Sequence, residues 1–208
     1  MELYASPMAC SLASHIIARE AGLPVKLTFV NTTTKRTDDG KDFLAIAPNG
    51  YVPALRLDNG QIFNEGPSVL QYLADQKPEA NLAPKWGTLE RYQLIDVLNY
   101  LSTEVHKALF IPLLTPNASQ ASKAEAEAEL PHTLAYIEKR LGKNQYLVAG
   151  TFTVADAYLF VMLTWSAYVG ADLKKWPGLA AYYQRLMARP AIAKAFAEEM
   201  DQRKKRAA

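Results

Sequence analysis

MELYASPMACSLASHIIAREAG, from Met1 to Gly22, is the stretch whose reading decides the fold. ELY has the aromatic and apolar character of a short strand, LASHIIARE repeats its apolar residues at helical spacing, and Gly22 supplies a helix stop. Between them lies Ser6-Pro7-Met8-Ala9-Cys10-Ser11, which carries the only cysteine of the chain where strand gives way to helix. A sulfur at that junction lies near amides that have no intrahelical partner and near the positive end of the helix dipole. Both favour thiolate over thiol, and cysteines placed this way react, whereas those sealed in apolar surroundings are inert. On position alone, a small core filler and a reactive thiol are equally good readings of Cys10.

The same alternation runs to about Gln76. VKLTFV, VPALRL and QIF read as strands, KDFLAIAPNG as a short helical segment ended by Pro48 and Gly50, and PSVLQYLAD as a helix. Asp58-Asn59-Gly60 is a hairpin signal and makes the last two strands antiparallel. A β-α-β unit followed by a hairpin and a helix gives a small mixed sheet with helices packed on it. QKPEANLAPKWG has no period and reads as a linker.

Beyond the linker every stretch is helical: TLERYQLIDVLNYLSTEVHKALF, ASKAEAEAELPHTLAYIEKRLG, TVADAYLFVMLTWSAYVG and GLAAYYQRLMARPAIAKAFAEEM. The second ends at Gly142 and the last is broken at Pro190. Thr153 and Asp156 stand at capping-box spacing, a folding device. The expected organisation is an α/β domain over residues 1–78, a linker over 79–87 and an all-helical domain over 88–208.

Bulk composition narrows the function classes. The chain has 208 residues, half of them apolar, and a formal net charge of +2, so a basic nucleic-acid footprint is missing. The run RKKR at Arg203 to Arg206 reads as a solvated terminus. A single cysteine excludes an internal disulfide framework, no charged-then-apolar leader precedes the first strand, and a cytoplasmic location is expected. The apolar run AYLFVMLTW falls short of the roughly 20 residues that span a bilayer and reads as a buried helix.

Three further features bear on Cys10. Val52-Pro53-Ala54 places a proline at the start of a strand. If trans, it merely opens an edge strand; if cis, it leaves the Val52 amide and carbonyl free at a sheet edge, where an extended peptide docks as one more strand. In NEGPS, Glu65 can take an ammonium while the Gly66 and Ser68 amides hold a carboxylate, as a zwitterionic amino-acid end requires; alternatively Glu65 only complements the helix dipole. Asn99, Thr103 and His106 fall at i, i+4 and i+7, an uncharged polar stripe beside Leu94, Leu98, Leu101, Val105 and Leu109.

Taken together, Cys10 at the first helix, Val52-Pro53 before a strand, Glu65 before the next helix and an all-helical second half with TVADAYLF resemble cytosolic glutathione transferases. ACSLASH and EVHKALF point to the bacterial beta class, and the resemblance spans essentially the whole chain. It implies an α/β thioredoxin-like N-terminal domain plus an all-α C-terminal helical bundle that shapes the electrophile site. It also implies a homodimer, and glutathione as co-substrate, with no resident cofactor or metal.

Residue by residue, the resemblance implies Cys10, Ser11 and His106 as the catalytic set, with His106 approaching the cysteine and the glutathione sulfur. Val52, beside cis-Pro53, pairs with the cysteinyl part of glutathione, Glu65 and Gly66 take the γ-glutamyl end, and Lys35 and Tyr51 complete the set. Asn99, Thr103 and Glu104 join it from the helical half, Asn99 and Glu104 by reaching glutathione in the partner subunit. Two positions depart from the pattern: Ala5 stands where a tyrosine is common, and Gly66 where a serine is.

The implied activity is conjugation of the glutathione thiolate to small apolar electrophiles. Thiol-disulfide exchange through a Cys10 mixed disulfide is the alternative, necessarily one-cysteine because Ala13 holds the resolving position. A non-catalytic binding protein on the same fold is the third reading.

Overall fold

The computed structural model describes residues 1–207. Among them β1 (Glu2–Ala5), β2 (Lys26–Asn31), β3 (Arg36–Thr37), β4 (Ala54–Arg56) and β5 (Ile62–Phe63) form one sheet in the order β3-β2-β1-β4-β5. β1 and β2 are parallel, with Glu2 opposite Lys26, and parallel neighbours need the crossover that α1 (Ser11–Glu20) supplies. β4 runs antiparallel to β1, and β5 to β4. The hairpin closes at the expected turn, where Leu57 N–H donates to the Gln61 carbonyl at 2.8 Å. All four residues of β1 are buried, as befits a central strand.

NTTTKRTDDG, not among the runs read as strands, contains the short edge strand β3, whose two polar residues are too few to show alternation. KDFLAIAPNG makes no helix among the described residues. It makes a single turn, with Ala47 N–H on the Phe43 carbonyl at 2.8 Å, and Pro48 then has no N–H to extend it.

α1 ends as Gly22 demands. Gly22 sits at φ +62°, its N–H donates to the Arg19 carbonyl at 3.0 Å, and Leu23 N–H reaches the Ala18 carbonyl at 2.9 Å, a Schellman closure. α2 (Gly66–Asp75) and α8 (Pro190–Ala207) both pack against α1. α8 therefore groups with Met1–Ala83 in the first compact unit, whereas the sequence reading placed it with the other helices in 88–208. Periodicity shows that a helix forms, not which element receives its apolar face.

The second unit, Pro84–Ala188, is helical. Its elements are α3 (Leu89–Tyr100), a π-helix (Leu101–Phe110) that runs on into α4 (Ile111–Leu114), then α5 (Gln120–Leu141), α6 (Val154–Trp165) and α7 (Pro177–Met187). The buried Arg91 lays its guanidinium over Trp86, 3.8 Å from the ring centre, and donates to the Pro84 carbonyl at 3.0 Å, so α3 holds the end of the linker. Every residue of α6 is buried, which explains why AYLFVMLTW is apolar all round. No helix of the described residues is long and apolar enough to cross a membrane.

The start of α6 is fixed by Asp156. One carboxylate oxygen accepts from Thr153 N–H at 2.8 Å and Thr153 Oγ1 at 2.9 Å; the other accepts from Leu147 N–H at 2.9 Å and Tyr182 O–H at 2.7 Å. Burial pushes the carboxyl upward, and these donors oppose it. Replacing Asp156 by alanine strands several buried donors at once, and we expect it to cost about 3 to 5 kcal/mol, read as a lowered midpoint in urea unfolding.

Candidate active site

The loop before Cys10 is a tight turn built on Pro7. Ala9 N–H donates to the Ser6 carbonyl at 3.0 Å, and Met8 occupies the left-handed region at φ +63°. That is the positive φ which the third position of a type II turn requires and which a non-glycine residue adopts at a cost of about 1 to 2 kcal/mol. Met8 is held there by its amide, which donates to Glu199 Oε2 at 2.8 Å.

Glu199 lies on α8 and is sealed from solvent. Its other oxygen is 3.0 Å from His15 Nδ1, one turn along α1 from Ser11. His15 Nε2 accepts from Arg19 Nε–H at 3.0 Å, so the ring proton sits on Nδ1 and is donated to the carboxylate. Burial pushes the Glu199 carboxyl upward, against the donors His15 and Met8. Glu199 is not among the residues singled out from the sequence, yet Ile192, Ala195 and Glu199 stand at i, i+3 and i+7, and all three are buried. A glutamate continuing an apolar stripe was the available signal.

Ser11, expected in the catalytic set, is engaged with the loop in this structure. Its hydroxyl is buried, accepts Ser6 N–H at 3.0 Å and donates to the Ser6 carbonyl at 3.3 Å, so it braces the loop. Cys10 itself does not cap α1; its sulfur accepts none of the first-turn amides. Instead the half-buried thiol donates to the Val52 carbonyl at 3.2 Å.

The Val52-Pro53 peptide is cis. Val52 thus joins the Cys10 sulfur through its carbonyl, while its amide has no protein partner among the described residues. Lys35 arrives on the same segment: its Nζ donates to the Gly50 carbonyl at 2.8 Å and lies 5.7 Å from the Tyr51 ring centre. Gly50 has φ +67°, and a Cβ there would come within 3.3 Å of the Lys35 ammonium, so glycine keeps that approach open. Cys10, Lys35, Tyr51, Val52 and Pro53 therefore form one contiguous site.

Glu65 precedes α2 in an extended conformation with an exposed side chain, and Pro67 opens the helix. The amides of Gly66 and Ser68 belong to the first turn, where no intrahelical acceptor exists. Ala5 is fully buried, and the neighbouring Tyr4 turns into the core against Phe43, with its hydroxyl donated to Glu2 at 3.0 Å. Burial, and then the Glu2 carboxylate, raise that phenol to about 12. Tyr4 thus does not replace the tyrosine missing at Ala5.

In the second unit the polar stripe does not share one face. His106 is buried, whereas Asn99, Thr103 and Glu104 are exposed. The reason is the π-helix: Ile111 N–H closes on the His106 carbonyl, an i to i+5 step that widens the turn and shifts the register. Thr103 Oγ1 lies 3.0 Å from Glu104 Oε1 and donates to the Asn99 carbonyl at 3.1 Å. His106 Nδ1 is hydrogen-bonded to the Tyr158 hydroxyl at 2.8 Å, and its ring stands 5.2 Å from that of Trp165.

Burial, helped by Lys107, pulls the His106 imidazole down to about 4, so it is neutral at neutral pH. The unfolded chain takes up this proton near pH 6.5 and the folded chain only near 4, so stability falls as pH drops through that window. We expect His106→Phe to flatten the dependence of the urea midpoint on pH between those limits. Glu199→Ala removes the acceptor for a buried amide and for His15; a loss of about 2 to 4 kcal/mol in urea unfolding is expected.

Comparison with known proteins agrees with this geometry. Residues 7–76 match the family described as Glutathione S-transferase, N-terminal domain, and residues 101–190 its C-terminal domain. The chain belongs to the glutathione S-transferase family. Glutathione S-transferase GstA of Escherichia coli O157:H7 is 40% identical over 96% of this chain and 98% of its own length. The bacterial beta class glutathione S-transferase of Sphingomonas chungbukensis superposes with a TM-score of 0.92 at 46% identity, covering 96% of this chain and 98% of that one. A sphingomonad glutathione S-transferase complexed with glutathione gives the same TM-score, 0.92, at 44% identity and the same coverage, 96% and 98%. The fold and these likenesses put the chain with the bacterial beta class.

Proposed function

We propose that this chain binds glutathione along Val52 and conjugates its sulfur to small apolar electrophiles. The observation that carries the reading is the open Val52 amide beside a cis proline, with the one cysteine of the chain 3.2 Å from the Val52 carbonyl. A peptide docking there adds as a strand, its backbone giving affinity and its cysteinyl side chain falling beside Cys10. Glu65 and the Gly66 amide take the ammonium and carboxylate of the γ-glutamyl end, and Lys35 and Tyr51 flank the other side. Only the thiolate attacks, so the site has to favour it over the thiol.

His106 enters as a neutral hydrogen-bonding group rather than a counter-ion, since its imidazole protonates only near pH 4. Asn99 and Glu104 are assigned to glutathione held by a second copy in a homodimer; their exposed side chains suit that role, and Thr103, exposed beside them, is kept as a glutathione contact. The reading implies a detoxifying enzyme of the cytoplasm.

A second reading, glutathione-dependent disulfide exchange, is favoured by the partial exposure of Cys10 next to the docking carbonyl. The Cys10 thiolate would attack the glutathione sulfur of a glutathionylated substrate thiol and release that thiolate; a glutathione thiolate would then attack the resulting Cys10 mixed disulfide, free Cys10 and leave as glutathione disulfide. Replacing Cys10 by alanine separates the two: disulfide reduction should disappear while conjugation of a chlorodinitro-aromatic substrate falls only modestly. Absence of both activities in the unmodified protein, despite glutathione binding, would leave a carrier.

A further inference from the structure

Val52 presents its two backbone groups unequally. Its carbonyl accepts the Cys10 thiol at 3.2 Å, whereas its amide has no protein partner among the described residues. Two residues earlier the Gly50 carbonyl is likewise covered, by Lys35 Nζ at 2.8 Å. The side chains that stand beside the docking segment thus donate to that segment itself. A strand added at this edge exchanges bonds with both groups of one residue, so its N–H requires the carbonyl that Cys10 holds.

We infer that the Cys10 thiol is a placeholder on the Val52 carbonyl, displaced when the cysteinyl amide of the tripeptide takes that acceptor over. The exchange is non-covalent: one donor replaces another on one oxygen, and the proton stays on the Cys10 sulfur, which gives up the Val52 carbonyl beside the incoming thiol. Until then the acceptor contact keeps the sulfur protonated, because only the thiol can donate. Reactivity at Cys10 is thereby tied to occupancy of the neighbouring edge. The inference rests on the glutathione reading, and its test keeps the two apart.

The probe is γ-glutamyl-alanyl-glycine, the tripeptide without its sulfur, titrated calorimetrically into the unmodified protein, Cys10→Ala and Cys10→Ser. Removing the placeholder should tighten binding by about two- to tenfold in Cys10→Ala, the span of one neutral hydrogen bond, while the serine hydroxyl still competes and gives no such gain. Infrared spectroscopy supplies a readout independent of the variants, since the S–H stretch of the unmodified chain comes from a single residue. That band should move to higher frequency at saturation. Unchanged or weaker binding to Cys10→Ala, or a band that stays in place at saturation, overturns the placeholder while leaving glutathione binding intact. Failure of the unmodified protein to bind the peptide removes the glutathione reading and the placeholder together.

Discussion

One carboxylate sealed from water governs the geometry of the first unit. Glu199 takes the amide of Met8 and the ring proton of His15, and so ties the turn before Cys10 to the last helix and to the first. A left-handed methionine is unfavourable by itself. The bond to a buried acceptor offsets that cost. Ser11 clamps the other side of the loop on Ser6, and between the two anchors Cys10 reaches Val52. The position of the sulfur thus follows from the loop that these side chains hold.

Asp156 does comparable work in the helical unit, where four donors converge on one buried carboxylate. Both units therefore place a buried acid where backbone amides lack partners, and in both each carboxylate oxygen has a hydrogen-bond donor. The hydrophobic surroundings supply bulk stability; the acids specify which loop conformation results.

Much of this was legible in the chain. β1, α1 and the glycine stop at Gly22 follow from local spacing, the β4–β5 hairpin from Asp58-Asn59-Gly60, and the opening of α6 from Thr153 and Asp156. Most of what was not legible depends on partners distant in sequence. α8 chooses α1, Glu199 chooses Met8, and the Ser11 hydroxyl chooses Ser6 over the sulfur. The polar stripe failed for another reason. A period of 3.6 was assumed through Asn99, Thr103 and His106, and the π-helix breaks it, burying the histidine while its companions face outward.

That the final helix belongs to the first unit bears on how the protein is made. A ribosome releases chains from the N-terminus onward, and domains generally fold in that order. Here the sheet and α1 emerge early but must wait for residues 189–207, which carry the bonds to Glu20, His15 and Asp38. The helical unit, encoded in between, has every residue it needs before the older unit does. Vectorial synthesis therefore completes the helical unit before the older one, and the turn before Cys10 gains its Glu199 anchor only afterwards.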